Sequence, residues 1–196
     1  MSFFLDVPAG KIAAVVTSLE MNARPALRAE QPDTKLTLHH VAKPDLAWYR
    51  NLFRRVGEDW IWFSRLQMDD AALAAIIHDP QIEVHVLKSG ADEAGLLELD
   101  FRKPGECELG YFGLAPPFVG TGAGRWLMNR AIDRAWSRPI DRFWLHTSTF
   151  DHPKALRVYQ QAGFIVYARR TARFEDPRAL GILPPTAGRK LKAPTA

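Results

Sequence analysis

The segment PFVGTGAG, residues 117–124, is the part of the chain whose residue types and spacing most directly suggest a chemistry. It stands between a run with strand character and a run with helix character. Glycines let the backbone turn tightly at such a junction, so that free amide groups point at an anion above the helix N-terminus. A phosphate group is therefore the expected ligand of this glycine turn.

Two common phosphate-binding patterns do not fit the glycine turn. The dinucleotide fingerprint G-x-G-x-x-G requires glycine at position 125, which is Arg125. A Walker loop requires Gly-Lys followed by Ser or Thr, which the segment lacks. The spacing of the glycines alone does not exclude the alternative, which is a structural turn that binds no ligand.

Regular patterns on both sides of the turn define the elements that must position it. Helices are predicted over residues 45–57, 71–79, 124–138 and 153–162. Strands are predicted over residues 11–21, 36–41, 82–87, 95–101, 108–114, 142–148 and 164–174. This order predicts an α+β (mixed α/β) fold in which helices cover both faces of one sheet.

The size and composition are those of one soluble domain. At 196 residues and 22.1 kDa, with 47% hydrophobic residues, the chain can bury a sizeable core. No stretch approaches the ~18 uninterrupted apolar residues of a membrane span, and residues 1–11 lack the pattern of a secretory signal. Cys107 is the one cysteine, which excludes an internal disulfide. We therefore expect a cytoplasmic protein with no membrane partner.

The net charge of +4 conceals an imbalance along the chain. Residues 1–100 carry 10 Lys+Arg and 15 Asp+Glu, whereas residues 101–196 carry 16 and 7. The basic second half suggests an anionic ligand there, and the acidic first half suggests a cationic one. Composition alone does not choose among a nucleic acid, a membrane surface and a phosphorylated cofactor.

Two motifs in the second half resemble those of the GNAT superfamily, the acetyl-CoA-dependent N-acetyltransferases. GLAPPFVGTGAGRWLM, residues 113–128, is similar to the family's strand, Pro, R/Q-x-x-G-x-G/A and helix. HPKALRVYQQAGF, residues 152–164, is similar to the family's Asn-x-x-Ala-x-x-x-Tyr-x-x-x-Gly-Phe. The resemblance runs through residues 36–174. It implies a single GNAT-like domain with a central twisted sheet of about six to seven mostly antiparallel strands, flanked by helices on both faces.

The resemblance implies that acetyl-CoA (coenzyme A) binds across both motifs, and it implies no metal. In the family, the pantetheine arm lies between two splayed central strands, and backbone amides of the first strand hold the thioester carbonyl. The implied cofactor-binding residues are Phe112, Gly113, Leu114, Val119, Gly120, Thr121, Gly122, Ala123, Gly124, Arg125, His152 and Ala155. By position, Arg125, Lys154 and Arg157 also fit the basic residues that meet the 3′-phosphate.

Two positions depart from the family's motifs. Val119 stands where Arg or Gln is usual, which removes one side-chain contact to the pyrophosphate but leaves the backbone amides. His152 stands where Asn is usual; its ring can donate a hydrogen bond to the pantetheine arm, with a charge that varies with pH. Neither departure removes the backbone amides of the glycine turn, which are expected to bind the pyrophosphate.

Tyr159 matches the family tyrosine that protonates the departing CoA thiolate. Its place on the apolar stripe of a predicted helix also fits a packed core aromatic. No cysteine nucleophile is implied, because direct attack in a ternary complex needs none.

Glu108 is the candidate general base or acceptor anchor. Strand alternation puts Glu108 on one face with Phe112 and Leu114. A solvated glutamate at a strand end is the alternative. His146 is a second candidate base; the alternative is that it is a buried histidine whose nitrogens are satisfied by hydrogen bonds. Glu98 is a third candidate base.

The function that follows from the resemblance is transfer of an acetyl group from acetyl-CoA to a primary amine, in a small molecule or a peptide. The acceptor is expected near residues 48–68, where EDWIWF could form an aromatic, acidic pocket for a cationic amine, or simply part of the core. A non-catalytic acyl-CoA-binding or sensor module of the same fold is the runner-up. A nucleic-acid partner is not expected, because the chain lacks a groove-reading helix motif and an RNA-stacking signature.

The expected organisation has three parts. Residues 1–34 form an N-terminal extension with an extra strand, residues 35–178 the GNAT-like domain, and residues 179–196 a flexible basic tail. The extra strand at 11–21 could supply a sheet edge for pairing in a homodimer.

Overall fold

Most of the predicted elements are present, with small changes in their ends. The computed structural model describes residues 6–30 and 35–189. The strands within them are β1 Lys11–Met21, β2 Leu36–His40, β3 Ile82–Ser89, β4 Asp92–Asp100, β5 Glu106–Leu114, β6 Arg142–Ser148 and β7 Ile165–Glu175. The α-helices are α1 Leu46–Gly57, α2 Asp70–Ile77, α3 Ala123–Ala135 and α4 Ala155–Gln161. Short 3-10 helices span Glu58–Trp60 and Pro116–Phe118.

Aspartate side chains begin the first two helices. Asp45 accepts a hydrogen bond from the backbone N–H of Trp48 at 2.8 Å, and Asp69 accepts one from Ala72 at 2.7 Å. Each carboxylate satisfies an N–H group that has no partner within its helix. Among the helices that the structure describes, none is long and apolar enough to cross a bilayer.

The sheet has the strand order β2-β3-β4-β5-β6-β1-β7. Its described neighbours pair antiparallel, except for β5 and β6, which run parallel. Helices lie on both faces: α3 and α4 bury Leu127 and Tyr159 in one core cluster, and α1 and α2 bury Phe53 and Leu73 in another. The predicted fold class is therefore confirmed.

β1 lies inside the sheet, between β6 and β7. Its residue Val16 pairs with Ser148 on one side and with Arg170 on the other. The expectation that this strand supplies a free edge is wrong, because both of its edges are already hydrogen-bonded. The edges of the described sheet are β2 and β7.

β5 and β6 separate soon after they meet. Their pairing is confined to Glu106, Cys107 and Glu108, opposite residues 142–144. Beyond Glu108 the rest of β5 stays bonded to β4, and the rest of β6 stays bonded to β1. The sheet therefore splits at its centre, and the gap is wide enough to admit a ligand.

A bulge at Gly110 reverses the side-chain alternation of β5. Leu99 pairs with Leu109 and Glu98 pairs with Tyr111, so Gly110 is an extra residue in β5. Leu109 and Phe112 consequently both face the α3 and α4 side, while Tyr111 faces the α1 side. The prediction that Glu108 shares a face with Phe112 is therefore wrong, since Glu108 alternates with Leu109 and lies on the opposite side.

The C-terminal segment packs against the 3-10 helix that follows α1. Leu183 and Ala187 are buried against Ile61, and the N–H of Gly188 donates to the carbonyl of Glu58 at 3.1 Å. Residues 179–189 thus differ from the expected flexible tail, because their apolar side chains have a surface to cover. The remainder of that tail, 190–196, lies outside the described residues, as do 1–5 and 31–34.

Candidate active site

A cavity of about 660 Å³ lies where β5 and β6 separate. Its walls come from both faces of the sheet. The α3 and α4 side contributes Met128, Ala155, Val158 and Tyr159, and the opposite side contributes Trp60, Trp62, Tyr111 and His146. A ligand in this cavity therefore reaches through the split in the sheet from one face to the other.

The glycine turn borders the cavity at the start of α3. Gly120 has φ 87° and Gly122 has φ 93°, conformations that favour glycine. The N–H groups of Gly120, Gly122 and Gly124 donate to no other described residue, although neighbouring N–H groups of the turn do. The turn thus presents unsatisfied donors at the positive end of a helix, the arrangement that phosphate oxygens fill.

Most of the implied cofactor-binding residues border the cavity. Those that line it are Phe112, Gly113, Leu114, Val119, Gly120, Gly122, Gly124, Arg125, His152 and Ala155. Thr121 and Ala123 do not: the Thr121 hydroxyl donates to the carbonyl of Phe118 at 2.8 Å, and Ala123 is buried. Lys154 lines the cavity and Arg157 does not.

The backbone of β5 directs donors into the split. The N–H of Ala115 donates to the carbonyl of Ala94, at the end of the ladder with β4. Because N–H directions alternate along a strand, those of Phe112 and Leu114 point away from β4, toward the separated β6. These two groups are placed to donate to an oxygen atom inside the cavity.

Tyr159 lies on α4 with its ring packed between two aromatic neighbours. Its ring centroid is 6.0 Å from that of Phe112 and 6.2 Å from that of Phe164. Burial, with the charge of Asp151 as a smaller contribution, raises the pKa of the Tyr159 hydroxyl well above its ordinary value. Tyr159 therefore borders the cavity as a phenol that keeps its proton at neutral pH.

Glu108 and His146 face each other at the point where β5 and β6 part. Oε1 of Glu108 is 3.5 Å from Nδ1 of His146. The hydrogen bond to Glu108 raises the pKa of His146 against the opposing effect of burial. The His146 side chain is 54% exposed and lines the cavity, so the alternative of a buried histidine does not hold. Glu108 lies behind the ring and does not line the cavity itself.

Asp151 is a hydrogen-bonding centre near the middle of the cavity wall. Its Oδ2 accepts from the Thr147 hydroxyl and from the Ser148 N–H, each at 2.7 Å, and its Oδ1 accepts from Nε1 of Trp62 at 3.3 Å. The negative charge of Asp151 contributes to the raised pKa of both Tyr159 and His146. It is the one carboxylate among the described residues that line the cavity.

The side of the cavity that contains the expected acceptor segment is aromatic. Trp60 and Trp62 line it as expected, together with Phe63, Phe150 and Phe174. Trp60 also contacts the ring of His152, with a centroid distance of 5.1 Å. Glu58 and Asp59, the expected acidic part of this pocket, are not among its lining residues.

Glu98, the third candidate base, is committed to a buried network. Its carboxylate accepts from the Tyr49 hydroxyl and from the Arg65 guanidinium, each at 2.5 Å. Tyr111 stacks under Arg65 at 5.2 Å and bonds to Ser64. Ser64 and Tyr111 of this network line the cavity, whereas Glu98 itself does not.

Several cavity residues had no local signal in the sequence. Arg28, Asn129, Phe150, Asp151, Gln161 and Phe174 belong to this group. Asp151 precedes the second motif directly, a position from which it could have been found. Arg28 and Phe174 lie in distant segments: contacts with α3 bring Arg28 here, and the pairing of β7 with β1 brings Phe174.

The sequence model of the acetyltransferase (GNAT) family matches residues 46–164, which is more than half of the chain. The matched span contains the glycine turn, β5, β6 and α4. No curated protein sequence matches the chain at a significant level.

Solved structures of acetyltransferases have a similar fold. A GCN5-related N-acetyltransferase from Sphaerobacter thermophilus has a TM-score of 0.62 at 16% identity, covering 88% of this chain and 53% of its own. The ribosomal-protein-S18-alanine N-acetyltransferase from Escherichia coli has a TM-score of 0.55 at 17% identity, covering 68% and 79%. A Bacillus subtilis acetyltransferase in complex with CoA has a TM-score of 0.50 at 18% identity, covering 68% and 78%. The chain thus spans about half the length of the Sphaerobacter protein, and at these identities the likeness concerns the fold.

Proposed function

The chain belongs to the GNAT acetyltransferase family, and on that premise we propose that it transfers an acetyl group from acetyl-CoA to a primary amine in a direct ternary complex. The observation that carries this proposal is the single cavity through the split sheet. It has unsatisfied N–H donors at one face and an aromatic wall with a carboxylate at the other. Two reactants can therefore meet from opposite sides of the sheet.

The cavity fits coenzyme A by the chemistry of its donors. The N–H groups of Gly120, Gly122 and Gly124 suit the pyrophosphate, and Arg125 and Lys154 add positive charge beside them. The backbone N–H of Lys154 donates to Nδ1 of His152 at 3.1 Å, so a neutral His152 ring carries its proton on Nε2. When bound, acetyl-CoA supplies the activated acetyl group.

Removal of the proton from the amine is assigned to His146. A free alkylamine is mostly protonated at neutral pH, because its pKa is about 10.4, so a base is needed. His146 faces the cavity and directs Nδ1 at Glu108, which leaves Nε2 as the nitrogen that accepts the proton. Glu108 fixes the ring orientation and stabilises the protonated ring.

The proton for the departing sulfur is assigned to Tyr159. Its hydroxyl borders the cavity from the α4 side, across the sheet from Glu108 and His146. The raised pKa keeps the phenol protonated until a stronger base forms beside it. The base and the acid thus lie on opposite faces, matching the two sides from which the reactants enter.

The N–H groups of Phe112 and Leu114 are proposed to hold the carbonyl oxygen. Donors fixed in a strand need no reorganisation when negative charge develops on that oxygen. The Cβ of any larger residue at Gly113, between them, would lie 2.5 Å from Val56 Cγ1, so the strand approaches α1 closely here. Packing therefore fixes the backbone that carries both donors.

The acceptor is proposed to be a primary amine that bears an additional positive charge. Asp151 is the carboxylate on the acceptor wall, and the faces of Trp60 and Trp62 lie nearby. Carboxylates and indole faces both favour cations. The Escherichia coli neighbour is by its name an alanine N-acetyltransferase of a ribosomal protein, so peptide amines belong in any acceptor panel.

Titration calorimetry with acetyl-CoA, followed by thiol-release assays across mono-, di- and polyamines and peptides, tests the proposal. Binding at sub-millimolar concentration together with turnover of at least one amine is the expected result. Absence of binding would remove the cofactor assignment. Binding without turnover of any amine would favour the non-catalytic acyl-CoA-binding module, which Val119 and His152 keep as the second candidate.

A further inference from the structure

The polar face of α3 is covered by the connector that follows β1. We call residues 24–30 the strap. Four side chains of α3 hold it: Asp133 accepts from Arg24 at 2.6 Å, Asn129 donates to the carbonyl of Arg28 at 2.8 Å, Arg125 donates to the carbonyl of Ala29 at 3.1 Å, and Arg130 donates to Glu30 at 2.8 Å. The strap is therefore held against α3, and its residue Arg28 lines the cavity.

Asn129 fastens the strap at Arg28. Its side-chain oxygen accepts from the Arg28 N–H at 3.3 Å while its side-chain nitrogen donates to the Arg28 carbonyl. Asn129 is only 2% exposed, so this pair of bonds is shielded from water. The backbone of Arg28 is held in one place relative to α3.

The Arg28 side chain reaches from the strap to the cavity, and no carboxylate among the described residues pairs with it. Its guanidinium donates to the neutral side chain of Gln161 on α4 at 3.1 Å, and none of its described contacts is with an acidic group. The other strap arginine, Arg24, is paired with Asp133. A half-buried guanidinium keeps donors available for a ligand when its charge is uncompensated.

We propose that Arg28 binds the 3′-phosphate on the adenosine of coenzyme A, an inference that rests on the proposed function. The glycine turn at the start of α3 accommodates the pyrophosphate. Asn129 lies five residues beyond Gly124, which is about 7.5 Å further along the helix. Coenzyme A carries its third phosphate on the ribose, beyond the pyrophosphate. When the pyrophosphate of coenzyme A lies at the glycine turn and its ribose lies beside Asn129, the 3′-phosphate meets the planar guanidinium group of Arg28.

Calorimetry with coenzyme A and with 3′-dephospho-coenzyme A tests the assignment on the full chain. The wild type is expected to bind coenzyme A about tenfold or more tightly than the dephospho form, as for a charge-assisted bidentate contact. Arg28→Gln is expected to lose most of this preference while binding dephospho-coenzyme A as the wild type does. That second titration also reports whether the variant is folded. Arg24→Gln is the matched control, since it alters the same strap at an arginine already paired with Asp133.

The remaining outcomes separate two failures. If the wild type binds neither ligand, the proposed function fails. If the wild type binds both ligands equally, or if Arg28→Gln keeps the preference for coenzyme A, the assignment of Arg28 is overturned while the proposed function stands. An equal loss for both ligands in Arg28→Gln also overturns it, because Arg28 would then only hold the strap against α4.

Discussion

Nδ1 of His146 lies 3.5 Å from Oε1 of Glu108, which is the last residue of β5 that pairs with β6. The pair stands where two strands diverge, so one partner is anchored in each half of the sheet. Since the hydrogen bond to Glu108 raises the pKa of His146, the protonated ring is favoured over a wider range of pH than that of a free histidine.

The first prediction concerns pH. A histidine acting as a base must be neutral, so kcat/KM is expected to rise with pH through an apparent pKa above the ordinary 6.5 of histidine. Glu108→Gln removes the carboxylate, so the rise of kcat/KM is expected to shift to lower pH and kcat to fall about tenfold or more. Rate profiles of both proteins check it. If the rise of kcat/KM with pH is unchanged in Glu108→Gln but is lost in His146→Gln, His146 is the base and the role given to Glu108 is wrong.

Tyr159→Phe is expected to lower kcat about tenfold to a hundredfold with little change in acetyl-CoA affinity. The ring contacts with Phe112 and Phe164 remain in this variant, and only the hydroxyl is lost. Single-turnover rates and calorimetry separate the two effects. Tyr167→Phe is the control, because Tyr167 is exposed on β7. Normal turnover by Tyr159→Phe would remove this residue from the mechanism.

Gly120→Ala is expected to weaken acetyl-CoA binding about tenfold or more. The residue has φ 87°, and nothing lies within 4 Å of an added Cβ, so the change strains the backbone and reorients the turn without any clash. Gly90→Ala is a close match, with φ 62° and equally open space, in the β3–β4 turn, and Gly90 does not line the cavity. Both variants should lose about 1 kcal/mol of stability. Equal acetyl-CoA affinity in the two variants would refute the proposal that the glycine turn binds the pyrophosphate.

Asp151→Asn is expected to raise the KM for a diamine about tenfold more than the KM for a monoamine of the same length. Neutralising the carboxylate removes its attraction for a second ammonium group, while an amide oxygen can still accept a bond from Ser148. Steady-state kinetics with the two amines measure the difference. A uniform increase for both amines would show that Asp151 shapes the wall without selecting charge.

Arg65→Met is expected to cost about 3–5 kcal/mol of stability, because it leaves the Glu98 carboxylate buried without its cation. The double variant Arg65→Met/Glu98→Met should recover much of that loss. Arg102→Met is the control at a more exposed pair: Arg102 and Asp100 are 44% and 16% exposed, against 12% and 1% for Arg65 and Glu98, and we expect a loss of about 0–1 kcal/mol. Urea unfolding of the four proteins measures these differences. A loss for Arg65→Met no larger than for Arg102→Met would contradict the importance of the buried pair.

Local chemistry could be predicted from the sequence, and long-range pairing could not. The glycine turn and Tyr159 belong to continuous motifs, so their positions beside the cavity followed from neighbouring residues. The face of Glu108 was predicted wrongly because a bulge at Gly110 depends on how β4 aligns with β5, which no local pattern records. Arg28 reaches the cavity because side chains of α3 hold the strap, among them Asn129, a residue 101 positions away.

The place of β1 in the sheet affects the order in which the protein can assemble. Val16 is synthesised long before its partners Ser148 and Arg170. Contacts between such distant residues slow folding, because a long loop must close before they form. We therefore expect β1 to stay unpaired in the growing chain until β6 and β7 have been made, which gives chaperones a long interval in which to act.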